Sequence, residues 1–302
     1  MCCLVLLRGN FLNKSNFLLL MPRTLDESLM NTFRASYRTF QAALNYPQVA
    51  QETKLQDIIE RNTFSEFGQK HNFHDIDSVR AFQSVVPLTT YDDYEPIITD
   101  IGNPDSNILT ADEVVCFVPT SGSTSGRKLI PYTETLFDEF EAGIAPWMYD
   151  LLLKNPIINK GNWYWSISPP SLSEDVSVGT VPVGLPNDLA YFSAEQAALI
   201  SQKLILPNIE SDTHTSDFFH ETAKSIADQS NVSFLSVWSP TFLDLLLKEG
   251  ANGGLQEDCF ASCWGDGQSE QYFKELQKDN PSIQFQKKGL LATEGIYSIP
   301  LI

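Results

Sequence analysis

The sequence predicts an α/β fold: a mainly parallel sheet with flanking helices, preceded by a helical lead-in. Three observations carry this. From Val232 onward, short apolar runs of strand length alternate with segments of helical period. Near the start, Leu29, Phe33, Tyr37, Phe40 and Leu44 fall on one face of a helix. The chain has 302 residues, 42% apolar and 19% charged, which is globular and long enough to bury a sheet between helices.

Taken in order, residues 1–24 form an N-terminal extension. Its apolar runs are cut by Arg8, Asn10, Asn13 and Lys14, so neither makes a signal-peptide core, and Met21 is a candidate initiator. The helix carrying Leu29 to Leu44 is stopped by Pro47, and Leu55, Ile58 and Ile59 mark another. Phe82 and Val85 fit a short third helix before Pro87. Val114 to Val118 reads as a buried strand. A long helical face follows from Leu136 to Leu152, with Pro146 as an expected kink. Trp163 to Ile167 is a strand, Ser168 to Pro186 a loop rich in Ser, Pro and Gly, and residues 194–206 and 214–229 are helical. The alternation then tightens. Val232 to Trp238 is a strand, and Pro240 opens a helix from Thr241 to Lys248. Cys259 to Trp264 is a strand, Gln268 to Lys278 a helix, and Ile283 to Gln286 a strand. Ile296 to Ile302 reads as a last, apolar strand with an exposed edge.

Charge narrows the partners. The net charge is −18, and residues 1–40 carry +3, so the remainder carries −21. A surface so acidic repels phosphate backbones, which excludes general nucleic-acid binding. No uninterrupted apolar stretch is long enough to span a membrane. There are five cysteines, and Cys116, Cys259 and Cys263 sit in strand-like runs. That pattern predicts reduced, buried thiols and a cytoplasmic protein. Neither the cysteines nor the four histidines have metal-ligand spacing.

Two stretches carry chemistry. Thr120 to Lys128, TSGSTSGRK, directly follows the strand at 114–118. It holds two glycines, five hydroxyls and two terminal cations. It is not a Walker loop, because Arg127 stands where the second glycine would fall. It is not a hydrolase elbow, because threonine occupies the centre of Gly122–Gly126. No histidine is close in sequence to activate a serine. Converging backbone N–H groups, hydroxyl donors and cations instead suit a polyphosphate; the same composition also suits an exposed turn. The second stretch is KGLLATEG, Lys288 to Gly295. Glu294 between a threonine and a glycine can hold Mg²⁺ while Thr293 donates to phosphate, or it can be an ordinary turn acid.

Together, TSGSTSGRKLIP and LLATEGIYSIPL resemble the first two nucleotide-binding motifs of the Gretchen Hagen (auxin-responsive promoter) acyl-acid amido synthetases, within the acyl-adenylating superfamily. FSEFGQKHNFHDIDSVRAFQSVVPLTTYDDYEPIITDI resembles the family's helical lead-in and VWSPTFLDLLL its central strand–helix unit, so the likeness runs over roughly residues 25 to 302. The resemblance implies a ligase that couples a small carboxylic acid to an amino acid or other amine through an acyl-adenylate, using ATP and Mg²⁺. It implies that Ser121, Gly122, Ser123, Thr124, Ser125, Gly126 and Lys128 cradle phosphate. It implies that Ala292, Thr293 and Gly295 form the second motif, and that Lys128, Thr293 and Glu294 serve the chemistry, with Glu294 as metal ligand.

Two departures stand out. The glycine after the hydroxyl cluster comes one place later than in the commoner TSGTTGKPK form, and Arg127 replaces its proline. No segment matches the third, ribose-gripping motif or the small C-terminal domain. Residues 25–302 are therefore expected to be the nucleotide-binding domain, incomplete at its C-terminal end, unable to complete amide synthesis. The alternatives are a non-catalytic relative that binds ATP at most, and an acyl-CoA ligase or acyl transferase on the same fold. Trp163, Tyr164 and Trp165, with the loop through Pro170, are expected to border the acyl pocket, core packing being the competing account.

Overall fold

The structure, a computed structural model, describes residues 24–103, 107–120, 128–166, 176–207 and 215–301. It opens with helices α1 (Leu25–Asn45), α2 (Pro47–Asn62), α3 (Glu66–Lys70), α4 (Val79–Val85) and α5 (Ile98–Ile101). Thr24 starts α1 through a capping box: its hydroxyl accepts from Glu27 N (3.2 Å), and the Glu27 carboxylate accepts from Thr24 N (3.1 Å). Pro47 stops α1 and also opens α2 at its first turn, where its missing N–H costs nothing. Ile59, Phe73 and Ile76 make a small core of this lead-in.

Strands β1 (Val114–Pro119) and β2 (Leu129–Thr133) form an antiparallel hairpin. Helix α6 (Glu134–Lys154) follows directly, capped by Thr133 and continuous through Pro146. The chain continues through β3 (Asn162–Trp165), β4 (Ser177–Val178), β5 (Val181–Pro182), α7 (Ala194–Ile200), α8 (Thr215–Ala227), β6 (Val232–Ser236) and α9 (Pro240–Lys248). It ends with β7 (Leu255–Trp264), α10 (Glu270–Asp279), β8 (Gln284–Lys288) and the short hairpin of β9 (Leu291–Ala292) and β10 (Gly295–Ile296).

The central sheet is wholly parallel, in the order β3-β6-β7-β8. One face, with Trp163, Trp165, Phe234 and Phe260, packs against α1, α6 and α7. The other, with Tyr164, Val232, Leu235 and Cys263, packs against α8, α9 and α10. This is the α/β sheet with flanking helices that the strand–helix alternation predicts.

Two local expectations need correction. Residues 201–206 are not helical. Lys203 O and Ile205 N bond instead to Trp163 N and Trp163 O (both 2.7 Å), extending the sheet beyond β3. The segment after β10 is not a long edge strand, because Ile296 and Ile299 turn inward against the main core and Leu301 stays outside. The long helical face from Leu136 to Leu152 is found in α6, and the strand before it, β2, whose five residues hold a proline, is an addition to the expected elements. Lys203 also fastens α1. Its buried ammonium donates to Asn159 O (2.7 Å) and pairs with Asp26 (2.9 Å).

Candidate functional site

The described ends of the first motif, Thr120 and Lys128, stand at the connecting end of the β1–β2 hairpin. Pro119 pairs with Leu129, Thr120 N donates to Lys128 O (2.8 Å), and Lys128 N donates to Thr120 Oγ1 (3.3 Å). Thr120 and Lys128 thus close the base of the loop between two strands. Ser121, Gly122, Ser123, Thr124, Ser125, Gly126 and Arg127 lie outside the described residues. The turn at Tyr91–Asp93 braces this base. Leu129 N donates to the Tyr91 hydroxyl (2.8 Å), and Lys128 Nζ stands 5.4 Å from the centre of the Tyr91 ring. A partly exposed ammonium held on an aromatic face keeps its charge free for an anion.

The second motif is the β9–β10 hairpin. Ala292 and Gly295 pair across it, and Thr293 and Glu294 form its turn, Glu294 being exposed. Two glycines let it dock. A Cβ on Gly289 would lie 2.0 Å from Ser298 O, and one on Gly143 of α6 would lie 2.8 Å from Ile296 Cδ1. A side chain at Gly289 would push apart the two backbone segments that flank the hairpin, and one at Gly143 would make the Ile296 side chain shift.

One residue joins the two motifs. Tyr132 lies four residues beyond Lys128 on β2, about 13 Å along a strand, and is fully buried. Its hydroxyl donates to the carbonyl of Thr293. Burial pushes its phenol far above the ordinary tyrosine range, a hydrogen bond from Tyr191 pulls it down, and the fields of Cys116 and Glu294 raise it further. Nothing in the local sequence marks this tyrosine; the only signal is its place in the strand that follows the loop.

Beside Tyr132 opens a cavity of about 640 Å³. Glu134, Phe137, Asp138 and Glu141 of α6 form one wall, and Val183, Leu185, Tyr191 and Phe192 much of the other. The Tyr191 ring meets that of Tyr132 edge-on at 6.1 Å, so the cavity wall abuts the residue that holds the second turn. Trp163 and Tyr164 do not line this space. Both are buried in the core, on opposite faces of β3. Trp165 is buried too, but packs on the lining residue Phe192 (5.4 Å). The aromatic run reflects a strand covered on both faces. Residues 167–170 of the expected pocket border lie outside the described residues.

A single carboxylate, Glu294, stands in the second turn, and among the described residues no three potential ligands cluster to hold a metal. Mg²⁺ needs no such cage, because it takes one or two carboxylates with phosphate oxygens and water; an exposed turn glutamate fits that role. Among the described residues no helix is long and apolar enough to cross a membrane.

The family model for the GH3 N-terminal domain matches residues 36–249. The indole-3-acetic acid-amido synthetase GH3.2 of Arabidopsis thaliana is 33% identical over 115 residues, 37% of this chain and 20% of that protein. The jasmonoyl-L-amino acid synthetase JAR4 of Nicotiana attenuata is 33% identical over 90 residues, 29% of this chain and 16% of that protein. Among solved structures, the AtGH3.15 acyl acid amido synthetase in complex with 2,4-DB superposes with a TM-score of 0.69 at 14% identity. That superposition covers 94% of this chain and 59% of the other. The chain thus spans about three-fifths of its structural relative, and its matched segment about a fifth of the first curated one.

Proposed function

Because the chain belongs to the GH3 family, we propose that it serves ATP-dependent activation of a small carboxylic acid and its ligation to an amine. A carboxylate oxygen attacks the α-phosphorus of ATP, a P–O bond forms, and pyrophosphate leaves. The amine nitrogen then attacks the acyl carbon, AMP leaves, and the amine's proton passes to water. No enzyme nucleophile is required; positioning and charge neutralisation do the work.

The observation that carries this reading is the bond from Tyr132 to Thr293, which sets the turn of the second motif against the strand that leaves the first. Lys128 and the loop before it hold the triphosphate from one end of β2. Thr293 and Glu294 meet it from the other, with Glu294 as the carboxylate for Mg²⁺, which when bound neutralises phosphate charge. The acid's apolar body lies in the cavity against Phe137, Val183, Leu185 and Tyr191. The carboxylates of Glu134, Asp138 and Glu141 on the facing wall repel its reacting end, turning it outward toward the nucleotide.

Calorimetric titration with Mg·ATP tests the site. Lys128→Ala and Glu294→Ala should each weaken binding by about 1.5–3 kcal/mol, the range for a charge-assisted contact, and leave the melting temperature nearly unchanged. Unaltered affinity in both removes the assignment. Mass spectrometry for AMP and acyl-adenylate, with a panel of aryl and alkyl acids, then identifies the substrate.

A further inference from the structure

A buried lysine at the carboxyl edge of the sheet opens the second stretch, yet has no role in the site described above. Lys288 is the last residue of β8 and is 7% exposed. Its Nζ donates to the hydroxyl of Ser236, the last residue of β6 (2.8 Å), and stands 5.6 Å from the centre of the Trp147 ring. The register puts Ser236, Ser262 and Gln286 in one row across the sheet, and Lys288 is on the same face two residues further along β8. Trp147 Nε1 caps this row by donating to Gln286 Oε1 (2.9 Å). The hydroxyl of Ser262 is fully buried with no hydrogen-bond partner among the described residues.

The row is therefore incompletely satisfied. An ammonium has three donors, and Lys288 uses one on Ser236. Among the described residues no carboxylate lies within ion-pair distance of it. Among the described residues, the charged and titratable groups whose fields reach it are Cys263 of β7 and Asp188, from the turn at 188–191. Burial pulls its pKa down to about 8, and Cys263 and Asp188 oppose that. A buried cation without a counter-charge burdens the fold. The carboxyl ends of parallel strands are also where α/β folds bind ligands, and the Thr293–Glu294 turn begins five residues later.

We propose that Lys288, with the hydroxyls of Ser236 and Ser262, is a subsite for an anionic oxygen of the reacting group: the substrate carboxylate or the phosphate to which it is joined. A bound anion supplies the ion-pair partner that Lys288 lacks among the described residues. Only the identity of the anion rests on the ligase reading above.

The test compares the wild-type chain with Lys288→Met, which keeps length and burial without the charge. Thermal melts run between about pH 7 and pH 10, spanning the shifted and ordinary lysine values. They are repeated with inorganic phosphate, with AMP and with benzoate. Near pH 7 the variant should melt several degrees above the wild type, and the gap should close toward pH 10, where Lys288 is neutral in the native chain. The anions should raise the wild-type melting temperature near pH 7, not near pH 10, and not in the variant. A response to phosphate and AMP alone assigns the subsite to phosphate; a response to benzoate alone assigns it to the carboxylate. A variant that melts lower than the wild type, with anion responses absent or equal in the two proteins, makes Lys288 a structural strut and overturns the proposal. Mg·ATP calorimetry on both proteins separates the two readings. Nucleotide binding without a Lys288-dependent anion response leaves the ligase reading standing alone. A Lys288-dependent response without nucleotide binding sinks that reading and keeps the subsite.

Discussion

Replacing Tyr132 by phenylalanine removes one O–H and little else. The ring keeps its neighbours Phe137 and Tyr191, at 5.0 and 6.1 Å, so no cavity opens. The bond from the Tyr191 hydroxyl is lost, and so is the one that bears on the second turn, to the Thr293 carbonyl. Thr293 is only half-buried, so water can take up its carbonyl, and the net loss is that of an ordinary hydrogen bond, about 0.5–1.5 kcal/mol. If that bond holds the second turn in its binding geometry, the same free energy reappears in nucleotide affinity. It amounts to roughly a two- to twelvefold weaker Kd for Mg·ATP, since about 1.4 kcal/mol is tenfold. Tyr132→Ala is the contrasting variant. Emptying a fully buried ring should cost about 3–5 kcal/mol of stability and blur any binding effect. The assay is calorimetry with Mg·ATP on Tyr132→Phe, with a melt in parallel. Wild-type affinity in the phenylalanine variant would refute the view that β2 positions the second motif.

Lys203→Met should cost about 1–3 kcal/mol in urea denaturation by leaving Asn159 O without its donor, and should speed tryptic cleavage at Arg34 and Arg38 as α1 detaches. Gly289→Ala should lower stability by about 1–3 kcal/mol, the usual cost of overpacking, because its Cβ meets Ser298 O; an unchanged melt would show that the hairpin can shift. Stability should fall as pH rises above 9. Burial, with Glu134 adding at Cys116, raises that thiol to about 11, and burial raises Cys259 and Cys263 to about 12, with Lys288 opposing at Cys263. Their contribution is full below the unfolded value of 9.0 and is lost as pH climbs through those raised values. Lys288 works the other way between about 8 and 10.5, so urea midpoints from pH 7 to 11 should drop less steeply in a variant with alanine at the three cysteines.

The large features were legible because hydrophobic period reports burial directly. Leu29 and Phe33 are buried as their spacing predicts, while Leu44, on the same stripe, is exposed because α1 outruns the core it packs on. Strand β2 was hidden by its proline and by the helical face that starts just beyond it. Trp163–Trp165 read as a pocket border because an all-apolar run cannot say which surfaces it meets, and here two cores meet it. At the site, the motifs carried Lys128, Thr293 and Glu294, since their residue types reveal their chemistry. Tyr132 and Lys288 could not be found that way. One acts through a single bond to a backbone carbonyl 161 residues distant, and the other is a charge at a strand end, where exposure is the ordinary expectation.

The strand order β3-β6-β7-β8 has a consequence for how the chain is made. Each of these strands joins the sheet beside its immediate predecessor, residues 203–205 cover the other edge of β3, and no strand has to be threaded between two others. A ribosome delivering about 5–20 residues per second can therefore have each βαβ step settle before the next emerges. The first helix is the exception. Leu29 and Phe33 must wait for α6, and Asp26 for Lys203, before their partners exist. During that interval the nascent chain carries a bare apolar stripe, and it is there, rather than in the sheet, that a chaperone would find something to hold.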